Sequence, residues 1–274
     1  MQFVRDTSIA QETTWGEFSN EHATISVLAR RQGVSERTIR RRLNAYEIPE
    51  RTPKPRVMVA IIDATRVGYS WMLVVRDPHE KENVYAQEIS SETTFAYQEA
   101  RSDLYSRGFS FCAVVSDGRF VAVPWLFPDI PVQMCHFHQQ QIVIRYLTLN
   151  PKLEAGIELL DLIRILPTTD EASFTDAFKL WCATWHTFLQ EKTVDLETGR
   201  WHWTHKRLRQ ARDSVVAHLP YLFTFQRFPD LNIPNTTNSL DGVFRKAKTA
   251  IGVHAGLTHA RQIKLVLSLL FARG

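Results

Sequence analysis

A chain of 274 residues, 44% hydrophobic and 23% charged, has the composition of a folded protein with room for one large domain and a small one. No apolar run approaches the roughly 18 residues of a membrane span, and "MQFVRDTSIAQETTWGEF" lacks the basic-then-apolar order of a secretory signal, so a cytoplasmic chain without a membrane partner is expected. The formal net charge is only +4, but Arg30, Arg31, Arg37, Arg40, Arg41 and Arg42 fall in one short segment, and a local patch is what gathers phosphates.

That segment, "ATISVLARRQGVSERTIRRRLNAY", has the pattern of two short helices. Ile25, Leu28 and Ala29 have helical spacing, Gly33 breaks it, and Ser35 is a good N-cap for a second helix. In that second helix Ile39 and Leu43 turn inward. Two helices about a glycine turn, the second one basic, predict a helix-turn-helix over residues 1–48 that lays its second helix in the major groove of duplex DNA. Ser35, Arg37 and Thr38 are the candidate base readers. Arg30, Arg31, Arg40, Arg41 and Arg42 are the candidate phosphate contacts, which set affinity and salt dependence. "EIPERTPKPR", with Pro49, Pro53 and Pro55, reads as a semi-rigid linker over residues 49–56.

Past the linker, "VMVAIIDATRVGYSWMLVVRD" holds two apolar strands, the first reaching Asp63, and "NVYAQEIS" a third. "TTFAYQEARSDLYSRG" has helical periodicity through Phe95, Ala96, Ala100 and Leu104, and "FSFCAVVSDG" is a fourth strand that ends at Asp117. Two carboxylates at the ends of buried apolar runs need a partner, and a shared divalent cation is the natural one. Far downstream, in "NIPNTTNSLDGVFRKAKTAIG", Asn238 can cap a helix with Asp241 in its first turn and Arg245, Lys246 and Lys248 on the turns after it. Three acids gathered at one edge of a sheet suit Mg²⁺ or Mn²⁺, which favour oxygen ligands. The final segment, "GLTHARQIKLVLSLLFARG", shows an apolar face through Ile263, Leu267 and Leu270.

Between these acids stands "QMCHFHQQQ". Cys135 and His138 form a C-x-x-H pair, but a closed zinc site needs four ligands and no second pair is spaced for it. Zinc is not expected, nor is a Cys-His catalytic dyad. The local reading is a core cysteine and a hydrogen-bonded histidine at the start of the helix "HFHQQQIVIRYL". Within the interval of 124 positions from Asp117 to Asp241 (241 minus 117), residues about 150–230 read as amphipathic helices, with Trp181 and Trp185 as core. Trp201 and Trp203, in "GRWHWTH", suit core or hairpin packing, or a platform for an unpaired base.

In order after a helix-turn-helix, "IIDAT", "VVSDG", "CHFH" and "NTTNSLDG" resemble the bacterial insertion-sequence transposases of the Mutator-like group, in the RNase H-like DDE/D superfamily. The resemblance runs from about residue 24 to the C-terminus. It implies an α/β catalytic domain over residues 57–274, with an RNase H-like mixed five-stranded sheet, flanking helices and an all-helical insertion. It places catalysis and two Mg²⁺ or Mn²⁺ ions on Asp63, Asp117 and Asp241, although the family usually has Glu at the third position. Glu92, Glu99 and Asp230 lie outside its motifs. The C-x-x-H pair would stand close to the active site, and Arg245, Lys246 and Lys248 would hold DNA. The partners implied are duplex DNA, as terminal inverted repeats and target, and further copies of the chain in a dimer or larger complex at the bacterial nucleoid. A DNA-binding protein without catalysis and a structure-selective nuclease are the alternatives on the same residues.

Overall fold

The computed structural model describes residues 2–49, 52–117, 123–254 and 256–271, with side chains from residue 8 onward. Three helices open the chain: α1 (Gln2–Ser19), α2 (Ile25–Gln32) and α3 (Glu36–Ala45). Thr24 and Ser35 cap the second and third by accepting from the backbone N–H groups of Val27 and Thr38. Between them Gly33 takes φ 63°, the left-handed conformation that glycine adopts without a Cβ clash, and its N–H turns back to the carbonyls of Ala29 and Arg30. Leu28, Ile39 and Leu43 are buried together with Trp15 and Phe18 of α1.

A five-stranded sheet follows, in the order β3-β2-β1-β4-β5. Its strands are β1 (Val57–Val67), β2 (Ser70–Asp77), β3 (Glu82–Ile89), β4 (Ser110–Ser116) and β5 (Val132–Met134), with α4 (Thr94–Ser106) before β4 and α5 (Val123–Leu126) after it. Gly68 and Tyr69 alone connect β1 to β2, a link only antiparallel neighbours permit. β2 and β3 are antiparallel, whereas β4 lies parallel to both β1 and β5. The sheet is therefore mixed, as expected, and compatible with an RNase H-like fold. α4 buries Ala96, Tyr97, Ala100 and Leu104; Phe95, expected on that face, is 66% exposed.

The rest of the chain is mostly helical: α6 (His136–Leu147), α7 (Glu154–Arg164), α8 (Glu171–Thr184), α9 (His186–Leu189), α10 (Lys206–Leu222), α11 (Thr224–Arg227), α12 (Asn238–Val253) and α13 (His259–Leu270). A short antiparallel ribbon, β6 (Lys192–Val194) and β7 (Trp201–Trp203), interrupts the helices, so this stretch is not all-helical as expected, and of the readings of Trp201 and Trp203 the hairpin is the one observed. No helix among the described residues is long and apolar enough to cross a membrane.

Packing divides the chain into two compact units. One gathers Arg56–Ile62 and Gly108–Thr237. Its core is built from Leu159, Phe174, Trp181, Val215 and Phe223, so Trp181 is a core residue as its helical spacing predicts. The other gathers the N-terminal helices, Asp63–Arg107, α12 and α13. Within it, α13 buries Leu265, Val266, Leu269 and Leu270, while Ile263 and Leu267 stay partly exposed. Lys264 of α13 donates to the carbonyls of Leu43 (3.1 Å), Asn44 (3.2 Å) and Tyr46, and Arg261 Nε donates to Asn44 Oδ1 at 2.8 Å. A cation on the carbonyl end of α3 satisfies acceptors the helix leaves open and opposes its dipole. The Pro-rich stretch after α3 thus follows helices that are latched to the C-terminal pair.

Candidate metal centre

The parallel register of β1 and β4 explains how the first two acids meet. Ile62 lies opposite Ser116, so the next residues, Asp63 and Asp117, occupy neighbouring positions on adjacent strands. β1 continues through Asp63 to Val67, so this acid lies within the strand, whereas Asp117 lies immediately past β4. They are 6% and 8% exposed. One oxygen of Asp63 accepts from the N–H of Ala64 at 2.8 Å, which fixes the carboxyl against its own backbone.

A third carboxylate joins them from the connection between β3 and α4. Ligand oxygens of Asp63, Glu92 and Asp117 all lie within 4.8 Å of one another. The strand directions account for it. β3 runs antiparallel to β2, and β2 reverses β1, so β3 ends at the same edge of the sheet as β1 and β4. Glu92 stands three residues past β3 and one before Thr93, which caps α4 by accepting from Ala96 N. The hydroxyl of Tyr97, itself 1% exposed, donates to Glu92 Oε1 at 2.9 Å and aims the carboxylate.

Asp241, expected as the third acid, does not belong to this group. It sits in the first turn of α12, half-buried, where negative charge suits the helix N-terminus. Glu92 joins the two aspartates because the β3 crossover delivers it there. A signal was present in "SETT": a helix cap directly after an acid, at the end of a strand that must run with β1.

Of the C-x-x-H pair, Cys135 is held next to the strand end that carries Asp117. Cys135 N donates to the carbonyl of Ser116 at 2.9 Å, next to Asp117 in the chain. The thiol is fully buried and Thr237 N donates to it at 3.3 Å. Burial alone would raise its pKa, but hydrogen bonds from His138 and Thr237 outweigh burial and hold the thiol below its ordinary range. The pair thus interacts directly, in spite of its spacing on one helix. His136 is a core residue whose Nε2 donates to the carbonyl of Leu222 at 2.6 Å, and burial lowers its pKa. No group of three metal-ligating residues among those described includes Cys135 or His138, and none other than the acidic one occurs.

The donor set fits a hard divalent cation. Three carboxylates supply only oxygen, without thiolate or imidazole, which favours Mg²⁺, Mn²⁺ or Ca²⁺ over zinc. Three acids at this separation also repel one another, so a cation relieves their mutual charge. A hollow of about 730 Å³ along the outer edge of β3, lined by Tyr85, Gln87, Glu99 and Asp103, contains no such ligand group.

The expected DNA-contacting residues divide into two kinds. Arg30, Arg37 and Arg41 are exposed, as are Arg245, Lys246 and Lys248 on α12. Arg37, Thr38, Arg40, Arg41 and Asn44 line an open groove of about 690 Å³ on α3. Arg31 and Arg40 are exposed too, but pair with Glu21 and Glu36 at 2.9 and 2.8 Å. Arg42 turns inward to Gln32 Oε1 at 2.6 Å and joins α3 to α2. Ser35 and Thr38 bond each other at 3.0 Å within the helix cap. Compared with known proteins, the chain matches no protein-family model and no curated protein.

Proposed function

We propose that this chain is a DNA transposase of the DDE/D type, which cleaves DNA strands and joins them to a target with Mg²⁺ or Mn²⁺. One observation carries the reading: three carboxylates, from Asp63, Glu92 and Asp117, gather at the carboxyl edge of a sheet ordered β3-β2-β1-β4-β5. Open α/β sheets bind their ligands at that edge. Asp63 and Asp117 would hold the cation, Glu92 would add a third oxygen, and two ions are expected in the active complex. A divalent cation bound there supplies Lewis acidity for in-line displacement at a phosphodiester.

The protein's own groups do the remaining work. The hydroxyl of Tyr97 orients Glu92, and the exposed cations of α3 and α12 hold the duplex by its phosphates. Cutting and joining two element ends needs at least two copies of the chain on DNA, which puts it at the nucleoid. A second reading, a DNA-binding protein that does not cut, is favoured by the position of the motif acid Asp241 outside the carboxylate group.

The test is incubation of the full chain with a plasmid that bears the terminal repeats flanking its gene, in Mg²⁺ or Mn²⁺. Joined products are expected, and Asp63→Asn, Glu92→Gln and Asp117→Asn should each abolish them. Binding without cleavage by the unaltered chain would sink the proposal in favour of the second reading, and cleavage without joining would make the protein a nuclease. Asp241→Asn separates the two candidate third acids: if it abolishes cleavage and Glu92→Gln does not, the motif acid and not Glu92 serves.

A further inference from the structure

The ribbon β6–β7 places an unusual set of side chains in solvent. Every residue from Glu191 to His202 is exposed. Cross-strand register puts Lys192 opposite Trp203 and Val194 opposite Trp201, so these four share one face, while Thr193 and His202 share the other. On the first face Trp201 is 54% exposed and Val194 55%, and Leu196 at the tip is 97% exposed. None of the three belongs to the core of its unit.

The ribbon nevertheless has a defined form. Asp195 Oδ1 accepts from the N–H groups of Glu197 and Thr198 at 2.9 and 3.0 Å, and Gly199 takes φ 66° to close the turn. At its foot, Thr204 N donates to the carbonyl of Glu191 at 3.1 Å, and His205 stacks on Phe188 at 3.7 Å. Two short strands alone are barely stable in water, so these anchors hold a surface that the core does not require. Exposed apolar side chains on such a surface mark a binding site.

Charge identifies the occupant. Lys192 Nζ lies over the ring of Trp201 at 4.1 Å, and the guanidinium of Arg209 over Trp203 at 3.8 Å. Arg200, His202 and Lys206 add positive or protonatable groups. Of the nearby acids, Asp195 is engaged in the turn and Glu191 with His205 at 2.9 Å, which leaves Glu197 at the tip. An aromatic face bordered by cations matches an anionic chain that carries flat rings, and only unpaired bases offer their rings. The geometry points to the β6–β7 ribbon as a binding site for single-stranded nucleic acid, with an unpaired base stacked on Trp201 and phosphates beside Lys192 and Arg200. On the reading given above, that strand is the DNA freed next to a cleavage point.

The experiment titrates the full chain into a fluorescein-labelled single-stranded oligonucleotide and into a blunt duplex of the same length, with anisotropy as the readout and no divalent cation. Trp201→Ala should weaken single-strand binding about ten-fold or more and duplex binding far less, while Trp201→Phe retains most of the affinity. Thermal melts of both variants should match the parent, since the indole is exposed. Equal losses on both DNAs, or none on the single strand, would overturn the site. So would a drop in mass by light scattering without loss of DNA binding, which would assign the face to another copy of the chain. Cleavage is scored separately and on the unaltered chain: if Trp201→Ala loses single-strand binding but the unaltered chain does not cleave, the ribbon stands and the transposase reading falls; if the unaltered chain cleaves and Trp201→Ala binds single strands as it does, the ribbon falls and the transposase reading stands.

Discussion

At the carboxyl ends of β1 and β4 charge is concentrated and shielded, with Asp63 and Asp117 below a tenth exposed and Glu92 within 4.8 Å of both. On α3 charge is spread and wet, with Arg37, Arg40 and Arg41 on an exposed groove. The difference decides what each region can do alone. Gathered carboxylates repel one another, and a cation bound among them would offset that repulsion. Separated arginines cost the fold almost nothing, and under the proposed function each exposed one would add its own increment to DNA affinity.

The largest effect that divides the regions is on stability without metal. In EDTA, Asp63→Asn and Asp117→Asn should each raise stability by about 1 kcal/mol, a few degrees in Tm, because one of three like charges is removed. An asparagine at position 63 can keep the bond from Ala64 N. Arg37→Ala and Arg41→Ala should leave the melt where it was. Addition of Mn²⁺ should then raise the Tm of the parent more than that of either aspartate variant. If both aspartate variants melt lower in EDTA, the carboxylates are held by structural partners, and the repulsion is outweighed.

A smaller effect comes from α3. Arg37→Ala or Arg41→Ala should each weaken duplex binding a few-fold and lower the slope of log affinity against log salt by about one for each phosphate no longer neutralised. Arg42→Ala should behave differently, with a lower Tm and little change in slope, because its guanidinium joins α3 to Gln32. Equal slopes for all three variants would erase the distinction between exposed and inward arginines.

The two regions were also unequally legible in the sequence. Asp63 and Asp117 could be read because each closes an apolar run, and a carboxylate in such a place needs an explanation. Glu92 was legible only as an acid directly before a helix cap, because its place beside the aspartates depends on the direction of β3 and the grip of Tyr97, both set by tertiary structure. The same limit appears in α4, where periodicity admits either Phe95 or Tyr97 on the inner face and packing against the sheet selects Tyr97. On α3 the order of residues marked Ser35 as a cap and Ile39 and Leu43 as core, but could not tell Arg42 from its outward neighbours. At the ribbon the hairpin stayed one reading among several, because three-residue strands are too short to show alternation and tryptophan fits core and surface alike.

Acid pH tests the two regions through buried histidines. Burial lowers the pKa of His136, which packs edge-on against Phe223 and Phe225. It also lowers that of His254, which donates from Nε2 to the carbonyl of Phe18 at 2.8 Å and joins α12 to α1; its neighbour His22 adds to the effect. For each, the folded pKa lies below the ordinary 6.5, so between the two values the unfolded chain takes up a proton that the native chain refuses. Stability should therefore be level above about pH 6.5, fall as pH drops below it, and level again once the native ring is protonated. His136→Gln and His254→Gln should each remove part of that slope, at some cost in stability at neutral pH. If only His254→Gln flattens the profile, acid first undoes the latch between the N-terminal helices and α12, and duplex binding should fail at a milder pH than metal binding.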